Sequence, residues 1–285
     1  MESEIEFVQA TRADLDAMIE WAAEEGRNPG LNDAECFWVA DPGGFWKARR
    51  NGEMAACMSL VRHDRGFAFL GFYIVRPDLR GQGIGLALWQ HVIARFGRHV
   101  VIGLDAMVQE EMTYRKAGFF RTHRILRFGG EAEFSGTKDG NSRLTRIDGV
   151  NQGAISNYDA EFFPSERPNY LGAWLTATGH DAIAAVEDDG QVCGYGVIRP
   201  CHKGHKVGPL FANDVDTAER LFAELVSVSG AGQVYVDPPF ANDDAVEMCE
   251  RLGLERAFET LRMYRGLAPT MRFPGIFGLT SFELG

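Results

Sequence analysis

The sequence contains few cysteines, no long hydrophobic run and no excess of positive charge. Its five cysteines are scattered over 285 residues without a C-x-x-C pair, which argues against a zinc or dithiol site and favours a reducing, cytoplasmic environment. No apolar run approaches the roughly 20 residues of a membrane-spanning helix, and residues 1–6 are acidic where a signal peptide would be basic. We therefore expect neither membrane association nor export.

The charge balance argues against a nucleic-acid partner. The formal net charge is −11, and such a surface would repel a phosphate backbone. Apolar residues make up 45% of the chain and charged residues 24%, which is the composition of an ordinary folded protein. A cationic amine would be tolerated as a substrate, although the net charge does not specify one.

The first half of the sequence alternates strand and helix patterns. Thr11 and Asp14 have the spacing of a capping box before an amphipathic segment, and Asn51-Gly52 is typical of a tight hairpin turn. The nearly continuous apolar run Phe67–Val75 predicts a central strand buried on both faces. The predicted strands are residues 5–9, 45–49, 54–61, 67–75, 100–104 and 121–128, and the predicted helices are residues 12–23, 83–96 and 110–117.

The second half repeats this order, which indicates an internal duplication. Residues 114–119 (YRKAGF) parallel residues 249–254 (CERLGL), and each segment precedes a predicted strand. Because 285 residues exceed a typical domain of about 100–150 residues, two domains with separate cores are expected, although one large α/β domain remains possible. The predicted strands are residues 182–186, 192–199, 207–212, 234–236 and 258–264, and the predicted helices are residues 217–226 and 243–252.

The segment with the clearest chemical meaning joins the central strand to the next helix. Three glycines alternate there, at Gly81, Gly83 and Gly85. Residues without a Cβ let backbone N–H groups approach phosphate oxygens, and a helix N-terminus adds partial positive charge. No Gly-Lys-Ser/Thr follows, and the spacing differs from G-x-G-x-x-G, so neither a Walker loop nor a dinucleotide fingerprint is present. A pyrophosphate-binding loop is favoured over an ordinary glycine turn.

This segment resembles the signature of the GNAT acetyltransferase superfamily, Arg/Gln-x-x-Gly-x-Gly/Ala. The residues 75–77 before it (VRP) and the later residues 114–119 are similar to two further elements of that family, in the same order. The resemblance implies an α/β fold with a mixed α+β sheet and two tandem GNAT-like domains, catalytic over residues 1–132 and degenerate over residues 144–285, with a linker at 133–143. The matching residues are Arg80, Gly81, Gln82, Gly83, Ile84 and Gly85.

The resemblance also implies a cosubstrate and catalytic roles. Acetyl-CoA would bind with its pyrophosphate on Gln82 to Gly85 and its pantetheine arm along Tyr73, Ile74 and Val75. A bulge in that strand would aim a backbone N–H near Val75 at the thioester carbonyl. Tyr114 would protonate the departing thiolate.

The proton acceptor for the amine is not identified by the sequence. Asp105 is preferred because it ends a strand beside the expected cleft, while the other carboxylates lie in a variable segment. A surface role for each carboxylate, and a packing role for Tyr114, stay open. The alternative candidates are Glu24, Glu25 and Glu35.

The expected activity is transfer of acetyl from acetyl-CoA to a primary amine of a small metabolite, by direct attack in a ternary complex. No metal is expected, and the basic loop 201–206 (CHKGHK) is interpreted as a surface turn in preference to a metal loop. A monomer or homodimer is expected. The alternatives are a non-catalytic acyl-CoA sensor and a transferase of a longer acyl group.

Overall fold

The first half of the chain folds in the predicted order. The structure is a computed structural model that describes residues 5–97, 99–134, 140 and 142–285. One helix was not predicted, α2, whose N-cap residue Asn32 makes no side-chain capping bond. The elements are β1 (Ile5–Gln9), α1 (Arg12–Glu24), α2 (Asp33–Ala40), β2 (Phe45–Arg50), β3 (Glu53–Arg62), β4 (Phe67–Val75), α3 (Ile84–Ile93), β5 (Val101–Met107), α4 (Glu111–Lys116) and β6 (Phe120–Glu131).

Local signals set the boundaries of these elements. The Thr11 side chain accepts a hydrogen bond from the backbone N–H of Asp14, whose carboxylate accepts in return, so the capping box is confirmed. Asn51 and Gly52 have positive φ angles of 54° and 85°, as a two-residue hairpin between β2 and β3 requires. Gly118, with φ of 88°, ends α4.

The second half contains the predicted elements and several that the sequence did not reveal. Strand β7, helices α5 and α6, and the short strand β13 were not predicted. The elements are β7 (Arg143–Arg146), α5 (Gln152–Asp159), α6 (Pro168–Thr176), β8 (Asp181–Val186), β9 (Val192–Pro200), β10 (His205–Ala212), α7 (Val215–Ser229), β11 (Gln233–Val236), α8 (Asp243–Arg251), β12 (Glu255–Arg265) and β13 (Ile276–Gly278).

The two halves exchange strands within one sheet. The strand order is β1-β2-β3-β4-β5-β12-β6-β11-β10-β9-β8-β7, with β13 paired to β10. Strand β12 of the second half therefore lies between β5 and β6 of the first, and β6 contacts β11 of the second. The mixed α/β sheet and the tandem arrangement of similar halves confirm the predicted fold class.

Three main groups of buried apolar side chains pack against this sheet. One lies under α3 in the first half and one under α7 and α8 in the second. The largest combines α1 and α2 with α5 and α6, where the rings of Phe37 and Trp174 stack with centroids 6.0 Å apart. This shared core corrects the expectation of two fully separate cores. Among the described residues, no helix is long and apolar enough to cross a bilayer.

The domain boundaries at residues 132 and 144 stay a prediction. Of the expected linker, residues 135–139 and 141 lie outside the described residues. The pairing of β6 with β12 joins the two halves across the linker independently of these residues.

A buried ion pair joins the halves at the strand exchange. Arg127 on β6 donates two hydrogen bonds of 2.7 Å to the carboxylate of Asp237, which follows β11. Both side chains are 2% exposed. Arg127 also donates to the carbonyl of Arg27, at 2.7 Å, and so holds the segment after α1 against the sheet. A paired charge in this position is tolerated, whereas an unpaired one would be costly.

We expect Asp237→Asn to lower the free energy of unfolding by about 3–5 kcal/mol, because it leaves the Arg127 guanidinium buried without a counter-charge. Urea denaturation followed by circular dichroism measures the change. Arg256→Gln, which breaks an exposed pair with Glu250, is the matched control and should change stability by less than about 1 kcal/mol. Equal effects of the two substitutions would contradict a special role for the buried pair.

Candidate active site

A bulge in β4 opens the sheet beside the glycine loop. Cys57 and Ser59 of β3 pair with Ile74 and Gly71, so that two residues of β4 lie opposite one of β3. Phe72, in the bulge, has a φ of 46°, an unusual value for a bulky side chain. The predicted bulge is confirmed, and its two β4 residues are Phe72 and Tyr73.

Strands β4 and β5 separate at the bulge. Their parallel pairing joins Phe67 to Leu70 with Val101 to Leu104, so within the described part of the chain the β5-facing edge of Tyr73, Ile74 and Val75 has no strand partner. The gap is part of a cleft of about 370 Å³. Besides these three residues, the cleft is lined by Glu25, Arg27, Leu70, Gly71, Arg80, Leu104, Asp105, Met107, Gln109, Glu110, Thr113, Tyr114 and Phe282.

The three glycines of the loop serve two different physical purposes. Gly81 and Gly83 have φ angles of 75° and 80°, and a Cβ added at either would meet nothing within 4 Å. At Gly85, in contrast, a Cβ would lie 2.7 Å from Cγ2 of Val75 and 3.0 Å from the hydroxyl of Tyr73. The first two glycines therefore give a left-handed turn with open space above it, and the third lets α3 pack closely on β4.

The start of α3 leaves backbone donors without partners in the helix. The first helical hydrogen bond runs from the Ala87 N–H to the Gly83 carbonyl, 3.0 Å, so the N–H groups before Ala87 are not used within α3. Ile84 is buried at 2% exposure, whereas Gln82 is exposed and accepts a hydrogen bond from Arg50 at 2.9 Å. These donors, with the positive end of the helix dipole, can bind an anion.

Arg80 connects the loop to the end of β4. Its Nε donates to the carbonyl of Val75 at 3.0 Å, and its guanidinium forms an ion pair with Glu25 beyond α1. The carboxylate of Glu25, a sequence candidate for proton acceptor, is thus already engaged. Glu35 pairs with Arg12 on the surface, and Glu24 is exposed outside the cleft.

Tyr114 lies in the cleft as the sequence predicted. Its ring packs against Trp89 and Phe119, with centroids 5.8 and 6.2 Å away. Among the described residues, no group forms a hydrogen bond with its hydroxyl. Burial raises the pKa of Tyr114 to about 12, so the phenol is a proton donor at neutral pH. Burial likewise raises the pKa of Tyr73 to about 12.

Asp105 lies in the cleft with its carboxylate paired. Arg262, its direct neighbour on β12, donates hydrogen bonds of 2.6 and 2.9 Å to the two carboxylate oxygens. Burial raises the pKa of Asp105, and the charge of Arg262 offsets part of that rise. A raised pKa suits a proton acceptor, but protonation would leave Arg262 without its counter-charge. The role of Asp105 stays a prediction.

Arg27 and Phe282 are two of the cleft residues that the sequence analysis did not single out. Arg27 follows α1, and Phe282 comes from the far end of the chain, 177 positions after Asp105 in the numbering. No motif or periodicity marks either residue, and Phe282 reaches the cleft only because the segment 279–285 crosses the sheet. There the backbone N–H of Leu279 donates a hydrogen bond to the backbone carbonyl of Asp237, and the Glu283 backbone packs on Gly71.

The corresponding site of the second half is filled by the chain itself. Strand β10 pairs with β11 only over His205 to Val207, and beyond an irregularity its Leu210 and Phe211 pair with β13. Strand β13 thus occupies the place of the β4–β5 cleft. At the start of α7, Asp214 accepts a hydrogen bond from Thr217 N–H at 2.8 Å, where the first half has Gly83.

Two further features of the sequence, Cys249 at the position that parallels Tyr114 and the basic loop 201–206, show no reactive environment among the described residues. Cys249 is buried on α8, and burial raises the pKa of its thiol. In the basic loop, Cys201 is buried and Lys206 donates to the Asn28 carbonyl at 2.7 Å. Within the described part of the chain, no three His, Cys, Asp or Glu side chains are grouped as metal ligands.

Comparison with known proteins identifies the same two units. The sequence model of the acetyltransferase (GNAT) family matches residues 12–119, and that of an acetyltransferase (GNAT) domain matches residues 155–278. A holothin acyltransferase from a Pseudoalteromonas species is 31% identical over 268 residues, which are 93% of this chain and 90% of the relative.

Solved structures share the fold over nearly the whole chain. A Pyrococcus horikoshii protein, provisionally assigned as an acetyltransferase, superposes with a TM-score of 0.84 at 19% identity and covers 100% of this chain and 97% of its own. A tandem GNAT protein from the clavulanic acid biosynthesis pathway gives 0.66 at 16% identity, covering 93% of this chain and 100% of its own. At these identities the likeness shows the fold alone.

The packing at Gly85 leads to a stability prediction. Gly85→Ala places a methyl group 2.7 Å from Val75 and should lower the free energy of unfolding by about 1–3 kcal/mol through overpacking. Gly81→Ala, which meets no atom but must adopt positive φ, should cost only about 1 kcal/mol. Thermal unfolding of both variants measures the difference. A Gly85→Ala variant as stable as the wild type would show that α3 does not need this close approach.

Proposed function

Because the chain belongs to the GNAT family of acyltransferases, with two GNAT domains in tandem, we propose that it transfers acetyl from acetyl-CoA to a primary amine of a small metabolite. The reaction would be direct attack within a ternary complex. The observation that carries the proposal is the cleft between β4 and β5, which ends at the open glycine loop. GNAT enzymes use acyl-CoA as their cosubstrate.

The residues present fit an acyl-CoA. The free space above Gly81 and Gly83 admits a pyrophosphate close to the backbone N–H groups at the start of α3. Arg80 would add positive charge beside it, while the unpaired edge of Tyr73, Ile74 and Val75 would bind the pantetheine amides as a strand does. The loop residues proposed to hold the cosubstrate are Arg80, Gly81, Gln82, Gly83, Ile84 and Gly85.

The positions of three groups in the cleft support the catalytic roles that we propose. The bound cosubstrate supplies the activated thioester. The N–H near Val75 would stabilise negative charge on its carbonyl oxygen, and the Tyr114 hydroxyl would donate its proton to the departing sulfur. Asp105 is retained as the candidate proton acceptor for the amine, since it is buried in the cleft and burial raises its pKa.

We further propose that residues 1–132 carry catalysis and that residues 144–285 shape the acceptor pocket. Two observations support this division. Strand β13 and Asp214 fill the cosubstrate site of the second half, while Phe282 of that half lines the cleft of the first. Domain interfaces are common sites for small molecules.

A second candidate is transfer of an acyl group longer than acetyl. The name of the Pseudoalteromonas relative, holothin acyltransferase, describes acyl transfer without restricting it to acetyl. The same cleft would serve both reactions, and the donor preference decides between them. A non-catalytic sensor would bind acyl-CoA without turnover.

Release of free CoA thiol, measured across a panel of amines with acetyl-CoA and longer acyl-CoA thioesters, tests the proposal. We expect turnover with at least one amine, and calorimetry should give one acyl-CoA site per chain because β13 fills the second. Gly83→Val should weaken acyl-CoA binding at least 10-fold by strain and by filling the space above the loop. Binding without thiol release on any amine would support a sensor, and unchanged affinity in Gly83→Val would refute the assigned site.

The two catalytic assignments predict different pH profiles. Tyr114→Phe should lower kcat by about 10²-fold or more, by the same factor from pH 6 to 9, because Tyr114 with a pKa of about 12 stays protonated throughout. In Asp105→Asn the deficit relative to wild type should shrink as the pH falls, because the wild-type carboxylate then loses activity by protonation, at a higher pH than an ordinary Asp.

Comparing each variant with the wild type on the same amine cancels the titration of the amine itself. A pH-independent deficit in Asp105→Asn would make Asp105 a counter-charge for Arg262 only. A Tyr114→Phe variant with wild-type kcat would remove Tyr114 from catalysis.

A further inference from the structure

Arg27 is an arginine of the cleft whose guanidinium forms no ion pair within the described residues. It is half-buried and lines the same cleft as Tyr114 and Phe282. Among the described residues, no side chain or carbonyl accepts a hydrogen bond or ion pair from its guanidinium. The buried arginines nearby are different, since Arg127, Arg199 and Arg262 each pair with an aspartate. Within residues 5–97, 99–134, 140 and 142–285, the hydrogen-bond donors of the Arg27 guanidinium are therefore left for a ligand.

The backbone around Arg27 is held by both halves of the protein. Its carbonyl accepts a 2.7 Å hydrogen bond from Arg127. The next residue, Asn28, has a positive φ of 52°, and its side chain pairs with the backbone of Lys203 at 2.9 Å in both directions. Its carbonyl accepts from Lys206 at 2.7 Å. Contacts with the second half thus fix the backbone at Arg27 before any ligand binds.

Within the described residues, no acidic group in or near the cleft forms an ion pair or hydrogen bond with Arg27, although Arg27 and Glu283 interact electrostatically. Glu25 pairs with Arg80, and Asp105 pairs with Arg262. Glu110 is exposed at the α4 side, and Glu283 is fully buried with neither carboxylate oxygen hydrogen-bonded. The charge of Arg27 acts on the inner cleft, where it favours the ionised forms of Tyr114 and Glu283. In a chain of net charge −11, this is a local site for an anion.

We propose that Arg27 binds a carboxylate carried by one of the two reacting molecules, so that the enzyme selects a carboxylate-bearing substrate. This inference rests on the proposed acyl transfer. A guanidinium binds a carboxylate through two parallel hydrogen bonds, which gives orientation as well as affinity. The carboxylate belongs either to the acceptor, as in an amino acid, or to the acyl group of the donor.

The acceptor is the better match for the position of Arg27. The proposed cosubstrate residues all lie on β4, in the loop after it and at the start of α3. Arg27 and Phe282 come from other segments of the chain. An acceptor between them would find an apolar ring, a cation for its carboxylate and the thioester for its amine. The two sources of carboxylate are separated by experiment.

The test measures kcat/KM for matched acceptors with and without a carboxylate, such as glycine and glycinamide or phenylalanine and phenylalaninamide, with acetyl-CoA as donor. We expect the wild type to prefer the carboxylate member. In Arg27→Gln the ratio of kcat/KM, carboxylate over amide, should fall by about 10- to 100-fold, mainly through KM. Arg27→Lys should restore part of the ratio, and Arg65→Gln, in the exposed β3–β4 turn, should leave it unchanged.

A second arm compares succinyl-CoA with acetyl-CoA on one amide acceptor. A wild-type preference for succinyl-CoA that Arg27→Gln abolishes would assign the carboxylate to the acyl group. Ratios unchanged by Arg27→Gln in both arms would overturn the proposal.

Binding separates this inference from the proposed function. Calorimetric titration of N-acetylphenylalanine and N-acetylphenylalaninamide, in the presence of CoA, needs no turnover. If no amine is acetylated but the wild type still binds the carboxylate form more tightly, and Arg27→Gln does not, then Arg27 is a carboxylate site and acyl transfer is wrong. Equal binding of both compounds to both proteins would refute the Arg27 site.

Discussion

The exchange of β6 and β12 between the halves is the constraint on which the rest of the structure depends. Two buried ion pairs accompany it, Arg127 with Asp237 and Asp105 with Arg262. A shift of β6 or β12 by one residue would separate these buried, oppositely charged side chains, at a cost of several kcal/mol. The pairs therefore specify register, and they also place residues of the second half beside the cleft of the first.

The strand that separates from its parallel neighbour, β4 in the first half and β10 in the second, has a different partner in each half. In the first, the edge of β4 beyond Phe72 faces a cleft and its backbone groups remain available to a ligand. In the second, β13 pairs with the matching edge of β10. Because buried backbone groups need hydrogen-bond partners, β13 pairs with the strand edge that stays open in the first half. The fold is thus open at this edge once and closed by the chain itself once.

Local rules predicted β4, the β2–β3 turn and the glycine loop after β4. The apolar run Phe67–Val75, the turn at Asn51 and the alternating glycines each depend on neighbours within a few residues, where backbone conformation and burial pattern suffice. Two other residues of the cleft were not predictable in this way. Arg27 is one charge in a loop, and Phe282 is one aromatic residue among many, until tertiary contacts bring them together.

The sequence by itself determined the two α/β units, the glycine loop and the position of Tyr114, because each is a matter of periodicity or of spacing along one strand and helix. Only the tertiary structure decided that β12 enters the first half, that Asp105 is paired with Arg262, that β13 pairs with β10 and that, among the described residues, Arg27 forms no ion pair. The physical reason is that pairing of charges and strand edges depends on segments up to about half the chain apart, whose contacts leave no local pattern.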